Sequence, residues 1–169
     1  MWVLGVATVA LFAVLTLLDG RMQDSGGPGI VPFELAGSSE RAAEILAEWG
    51  EKGQDAARLS LWIDFPFLVG YGAFLALAVA AVRDGAARRG WPRFARAGTV
   101  LVAFPIAAAV CDAVENVNLL LTLDGRGGTA APAIATGFAI AKFAFLAFAQ
   151  IYLVAGLLAM GVVRLRRVA

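Results

Sequence analysis

Four ionisable residues, Asp64, Asp112, Glu115 and Lys142, each lie inside a long apolar run. In a bilayer interior such a side chain costs about 2.5–3.5 kcal/mol on insertion scales, so it requires a partner, a cavity or a task. Three carboxyls and one ammonium have a definite repertoire. Carboxyls pass protons as general acid and base, and their oxygens hold hard cations; an ammonium neutralises a carboxylate or stabilises developing negative charge. Asp112-x-x-Glu115-Asn116 with Asp64 supplies enough oxygens for a hard metal, although the motif is short. Three acids against one base cannot all be ionised cheaply where solvation is poor. Either one or two carry a proton, or a cation absent from the sequence completes the set: a proton, a hard metal ion or an amine on a ligand.

The elements that must position these groups are membrane spans. Of 169 residues, 60% are hydrophobic and 16% charged, with mean hydropathy +0.79, outside the range of soluble globular domains. Four segments can cross about 30 Å of hydrocarbon, which takes about 20 residues each: residues 1–18, 59–82, 99–123 and 131–163. The expected fold is an all-α transmembrane four-helix bundle, a single integral membrane domain over residues 1–169. The first segment lacks a basic leader and a small-residue cleavage pattern, so it reads as a retained helix. Pro66 and Pro105 free the carbonyls of Trp62 and Leu101, so both helices are expected to kink. Gly70-Tyr-Gly72, Ala107-Ala-Ala109 and Gly156-x4-Gly161 provide small residues for close helix contact, and Trp62 and Trp91 read as interface anchors.

Orientation follows from arginine. Arg83, Arg88, Arg89, Arg93 and Arg96 in the second connection, and Arg164, Arg166 and Arg167 in the tail, predict a cytoplasmic side for both. The first connection holds eight acids and four bases, and the third only Asp124 and Arg126, so both are expected outside, with both termini inside. The outer segment, residues 19–58, is Gly- and Pro-rich at first (Ser25-Gly-Gly-Pro-Gly) and turns helical from Ser39. There Ala42, Ile45, Leu46 and Trp49 form one stripe, with Glu40, Glu44, Glu48 and Glu51 opposite. Ser38 or Ser39 can cap its start, and Gly50 or Gly53 can end it. This amphipathic extracytoplasmic helix either rests on the membrane face or forms a lid over the bundle mouth.

Helical rise, about 1.5 Å per residue, brings all four buried charges to one depth in the outer half of the bilayer. Their faces agree too. Ser60, Asp64, Phe67, Tyr71 and Leu75 form one stripe; Asp112 and Glu115, three apart, share a face with Ala108 and with Asn116 or Asn118 at the flank; Phe138, Lys142, Phe145, Ala149 and Tyr152 form a third. Polar groups sharing stripes with aromatics suit a pocket with apolar walls. The chain has no histidine and one cysteine, Cys111. That removes imidazole-built haem and zinc sites and every histidine base, and no cofactor is identified. Net charge +1 gives no argument for nucleic acid.

Phe33-Glu-Leu-Ala36, Ala43-Glu-Ile-Leu-Ala-Glu-Trp-Gly50, Leu61-Trp-Ile-Asp64-Phe-Pro-Phe with Tyr71, and Asp112-Ala-Val-Glu-Asn116 together resemble a group of small bacterial four-span membrane proteins, over about residues 30–120. The resemblance implies a bacterial cytoplasmic membrane and a shared polar and aromatic set, Glu34, Trp49, Asp64, Tyr71, Asp112, Glu115 and Asn116. It attaches the segment around Glu34 to the site of the buried acids, leaves Lys142 outside the pattern, and implies no reaction. Four-span sterol-isomerase-like proteins also place acids in a bundle cavity, but those use histidine.

Three readings stay open. The preferred one is a small ligand or cation bound in an outward-opening carboxylate-lined pocket of Asp64, Asp112, Glu115, Asn116, Lys142, Tyr71, Glu34 and Trp49; a metal, if any, would fall to Asp64, Asp112 and Glu115. A second is an accessory subunit of a larger membrane complex, in which the charges only hold helices in register. A third is a membrane enzyme, with Asp112 and Glu115 as acid and base, Asp64 orienting and Lys142 stabilising negative charge, or a proton- or ion-coupled carrier requiring a homo-oligomer.

Overall fold

A computed structural model describes residues 2–166, so Met1 and Arg167 lie outside the described residues. Those residues are helical with no strand, in the order α1 (Trp2–Asp24), α2 (Ile30–Glu34), α3 (Ser39–Arg88), α4 (Pro92–Leu101), α5 (Phe104–Leu123) and α6 (Ala131–Arg166). By length and composition four units can cross a membrane: α1, α3, the continuous α4–α5 stretch, and α6.

The expected amphipathic helix is the first rod of α3. Ser38 caps it, its side chain accepting from the Arg41 amide at 3.2 Å. Gly50 interrupts it with φ 57° and ψ −168°, a conformation glycine adopts at no steric cost. The Leu46 carbonyl, freed by this break, accepts instead from the Gln54 amide at 2.8 Å. Ala42, Ile45 and Trp49 are buried to 1% exposure or less, packed with Met22, Phe33, Leu61, Leu119 and Ala135. The stripe is therefore taken up by protein contacts, and the rod closes one end of the bundle.

The two prolines behave differently. α3 runs through Pro66 with helical backbone on both sides of it. Near Pro105 the helical hydrogen bonding is interrupted: α4 ends at Leu101 and α5 begins at Phe104, Val102 and Ala103 keeping right-handed helical backbone, with Pro105 in the first turn of α5, where the missing N–H has no intrahelical partner to lose.

The bundle is not four equivalent rods. α3, α5 and α6 pack on one another, whereas α1 packs along α3. α1 buries only Leu18 and Met22 and leaves Trp2, Val6, Val9 and Phe12 exposed. Glycines set the closest approaches, as the small-residue stretches suggest. A Cβ on Gly70 would lie 2.7 Å from Thr8 Oγ1, one on Gly72 3.1 Å from the Ala109 Cβ, and one on Gly156 2.3 Å from the Val82 side chain. Gly161 has no such neighbour. At the end remote from α2, Tyr152 stacks on Phe94 at 4.4 Å and donates to its carbonyl. At the α2 end, Arg58 and Arg126 both donate to Asp124, and these bonds hold its carboxyl below the usual carboxylate range.

Trp49 is the test of the capped end, since it fills the space between the α3 rod and α2. Trp49→Ala is expected to cost about 3–5 kcal/mol, the range for deleting a buried aromatic. Trp62→Ala, at a side chain 60% exposed, should change unfolding in detergent by less than about 0.5 kcal/mol. Denaturant unfolding of both variants checks the contrast.

Candidate functional site

α5 carries Asp112, Glu115 and Asn116 on its buried face, with exposures of 4%, 0% and 2%. α6 brings Lys142 against them, 6% exposed, and α3 brings Tyr71 and Asp64. Lys142 Nζ donates to Asp112 Oδ1 and to Glu115 Oε1, each at 3.0 Å. It also lies 2.9 Å from Glu115 Oε2, outside hydrogen-bonding geometry, so that buried oxygen has no donor among the described residues. The Tyr71 hydroxyl donates to Asp112 Oδ2 at 2.8 Å, and the Asn116 amide to Asp64 Oδ2 at 2.7 Å. Asp112, Glu115 and Lys142 thus meet directly, with Tyr71 bonded to Asp112, while Asp64 is bonded to Asn116 beside them.

Glu34 joins them from α2. Its Oε2 lies 3.4 Å from Lys142 Nζ, completing the ammonium's three donors with a third carboxylate. α2 is only five residues long and is held from several sides. Asp19 Oδ1 accepts from the Ile30 amide at 2.6 Å, Trp49 Nε1 donates to the Pro28 carbonyl at 2.6 Å, and Thr136 Oγ1 donates to the Glu34 carbonyl at 2.8 Å while accepting from the Gly37 amide. Phe33, 1% exposed, packs against Trp49 with ring centroids 5.0 Å apart and the planes tilted by 59°. Trp49 accordingly makes no contact with the acids; it fastens the segment that carries Glu34. A side chain on Gly27 would strike the Trp49 indole at 2.3 Å, which fixes glycine at that turn.

A cleft of about 290 Å³ opens beside this network, between α1, α2, α3 and α5. Asp64, Glu34, Asn116 and Ser60 face it, with apolar walls that include Phe12, Leu15 and Phe67. Asp112, Glu115, Lys142 and Tyr71 do not line it. The expected single pocket therefore resolves into two layers: an ion-paired core behind, and a cleft whose carboxyls are Asp64, Glu34 and Asp19, the last bonded to the Ile30 amide and the Gln23 side chain. The conditional metal set fails for the same reason. No group of three acids in metal-holding geometry occurs among the described residues, because the Lys142 ammonium sits between Asp112 and Glu115 while Asp64 turns to Asn116. Cys111, half-buried, has no part in the network.

The charge imbalance widens from three to four carboxyls around one ammonium. Asp19 and Thr136 are supporting groups that the sequence reading does not single out. Ser60 lies on the Asp64 stripe and was legible as a neighbour; nothing in the local pattern marks Thr136, whose partners are about 100 residues distant. Comparison with protein-family models, with curated proteins and with solved structures finds no match to this chain.

Removing Lys142 alone strands buried carboxylates, a change worth about 3–5 kcal/mol of destabilisation. Lys142→Met should therefore unfold far more readily than the triple variant Lys142→Met/Asp112→Asn/Glu115→Gln, which removes the charges together. Equal destabilisation of the two in a denaturant titration would show that the pairing contributes nothing.

Proposed function

We propose that this is a multi-pass membrane protein that binds a small cation-bearing ligand in the cleft lined by Asp64 and Glu34. The observation that carries the reading is the lining itself: three carboxyls, Asp64, Glu34 and Asp19, the last already bonded to the Ile30 amide and the Gln23 side chain, with the polar groups of Asn116 and Ser60, set among apolar walls, and no lysine or arginine among them. Such a surface favours a positive group and excludes an anion. Behind it, Asp112, Glu115, Lys142 and Tyr71 serve as the frame that holds α5, α6 and α2 in register. Any acid or base role passes with this reading from Asp112 and Glu115 to Asp64 and Glu34, which face the cleft.

The orientation we infer has both termini in the cytoplasm and the α2 end outside. It is supported by the clustering of Arg83, Arg88, Arg89, Arg93 and Arg96 around the α3–α4 turn, at the opposite end of α3 from Ser39. The cleft then opens outward, and the resemblance stated above makes the membrane the bacterial cytoplasmic one. An accessory-subunit role is compatible with the same frame, and α1, packed on α3 alone among the long helices, is where a partner helix would have room.

Two measurements test this. Calorimetric titration of the detergent-solubilised chain with butylammonium should give saturable binding that weakens tenfold or more in Asp64→Asn and in Glu34→Gln, with Asp84→Asn unchanged; equal binding in all four removes the cleft from consideration. In a Cys111→Ser background, a cysteine at Ala130 should react with an impermeant maleimide from outside intact cells and one at Ala87 should not, and the reverse pattern would invert the topology.

A further inference from the structure

The basic residues at the α3–α4 turn differ from those at the α2 end in what they are bonded to. At the α2 end Arg41 pairs with Glu44, and Arg58 and Arg126 both pair with Asp124. Around the turn, residues 83–96 hold five arginines and one acid, Asp84. Asp84 is already taken by Arg83, whose Nε donates to Oδ1 at 2.9 Å and whose Nη2 lies 2.8 Å from the same oxygen. Arg89 folds back, its Nη1 donating to the Gly85 carbonyl at 3.0 Å. Arg88, Arg93 and Arg96 are exposed and have no carboxylate partner among the described residues.

The fold does not use these three side chains to close the turn. The last carbonyls of α3 are met by backbone: the Gly90 amide donates to the Ala87 carbonyl and the Trp91 amide to that of Ala86, with Gly90 at φ 72°. A glycine-ended helix of this kind needs no side-chain cap. α4 is then seated through its other face. Gly98 lies so near α3 that a Cβ on it would be 2.8 Å from the Arg83 Cβ, and Phe94 stacks on Tyr152. Arg93 and Arg96, three apart on α4, share the outward face.

Position along the spans points to the partner. Val100, one turn past Arg96, is 63% exposed, and Leu77, about three turns before Arg88, is 48% exposed. The three guanidinium groups therefore stand where the outward apolar surface of α3 and α4 ends, the level at which a bilayer places its phosphates. Trp91, half-buried within the turn, is of the type that favours that level. Orientation by arginine requires only that the charge be on this side; it does not require three guanidinium groups without acids at the rim. A guanidinium binds a phosphodiester through paired N–H donors. With the single nearby carboxylate occupied, nothing here receives an ammonium, so a head with net negative charge is favoured over a zwitterionic one.

We infer that the α3–α4 turn is a binding site for the phosphodiester of an anionic phospholipid, held by Arg88, Arg93 and Arg96 in the leaflet at that end of the bundle. The site is separate from the cleft and rests only on the membrane placement of the spans.

Native mass spectrometry of the full chain tests this, from nonionic micelles carrying equal amounts of dioleoylphosphatidylglycerol and dioleoylphosphatidylcholine. Phosphatidylglycerol should be retained about fivefold or more over phosphatidylcholine. Arg88→Gln/Arg93→Gln/Arg96→Gln should abolish that preference. Arg21→Gln/Arg41→Gln/Arg126→Gln, which removes the same charge toward the α2 end, should leave it unchanged. If the first triple variant is not monodisperse, Arg93→Gln and Arg96→Gln singly should each lower the preference about twofold. Equal retention of the two lipids by the unaltered chain overturns the site. So does a preference that both triple variants lower alike, which would be a response to net charge, or that neither lowers. Displacement of phosphatidylglycerol by excess inorganic phosphate would show a soluble-anion site and overturn the lipid.

Discussion

An ammonium buried in an apolar bundle is tolerable only when each of its donors finds an acceptor, and Lys142 meets that condition with three carboxylates from two other elements. Asp112 and Glu115 bind it from α5, and Glu34 reaches it from α2. Helix contact between α5 and α6 is otherwise made by apolar side chains, Phe104 against Phe145 and Phe148 among them, whose packing is not directional in the way a hydrogen bond is. A charged hydrogen bond in a region of poor solvation fixes the register, because any shift by one residue would strand an ion. The rest of the α2 end follows from this condition. For Glu34 to reach Lys142, α2 must lie across the bundle, and Phe33, Trp49, Asp19 and Thr136 all act to hold it there.

The same arrangement explains why the polar groups separate into two layers. Lys142 consumes Asp112 and Glu115, and Tyr71 takes the remaining oxygen of Asp112. Asp64 lies on the opposite side of Asn116, bonded to it and turned toward the cleft. Glu34 stands between the layers, at the longest of the three distances to Lys142 and on the wall of the cleft. One ammonium cannot balance four carboxyls, and the surplus negative charge is on the side where there is space.

Much of this was legible along the chain. Helical spacing put Asp112 and Glu115 on one face and aligned Ser60, Asp64 and Tyr71 on another, and the structure assembles both sets as spaced. The stripe Ala42, Ile45 and Trp49 is buried, and Gly50 ends its rod. Other features escaped for identifiable reasons. Pro66 and Pro105 carry the same local signal, yet α3 continues through the first while the hydrogen bonding of the α4–α5 stretch is interrupted at the second. Trp49 shares a sequence pattern with the acids, yet it packs one layer away, since proximity in a pattern does not specify contact. The four spans have similar hydropathy, so nothing local distinguishes α1, which packs on α3, from the three that enclose the ion pairs.

Composition and periodicity by themselves determined that this chain is helical, that four of its stretches can cross a membrane, and which face of each carries polar groups, because hydrophobicity and the 3.6-residue repeat are properties of a helix taken alone. Which carboxyl meets which partner was decided only by tertiary packing. Asp64, Asp112 and Glu115 are equivalent acids in the sequence; the approach of α6 commits two of them to Lys142, and the placement of α1 and α2 leaves the third, with Glu34, facing open space. The physical reason is that ion pairing is a contest between neighbours, and the neighbours are known only once the helices have docked.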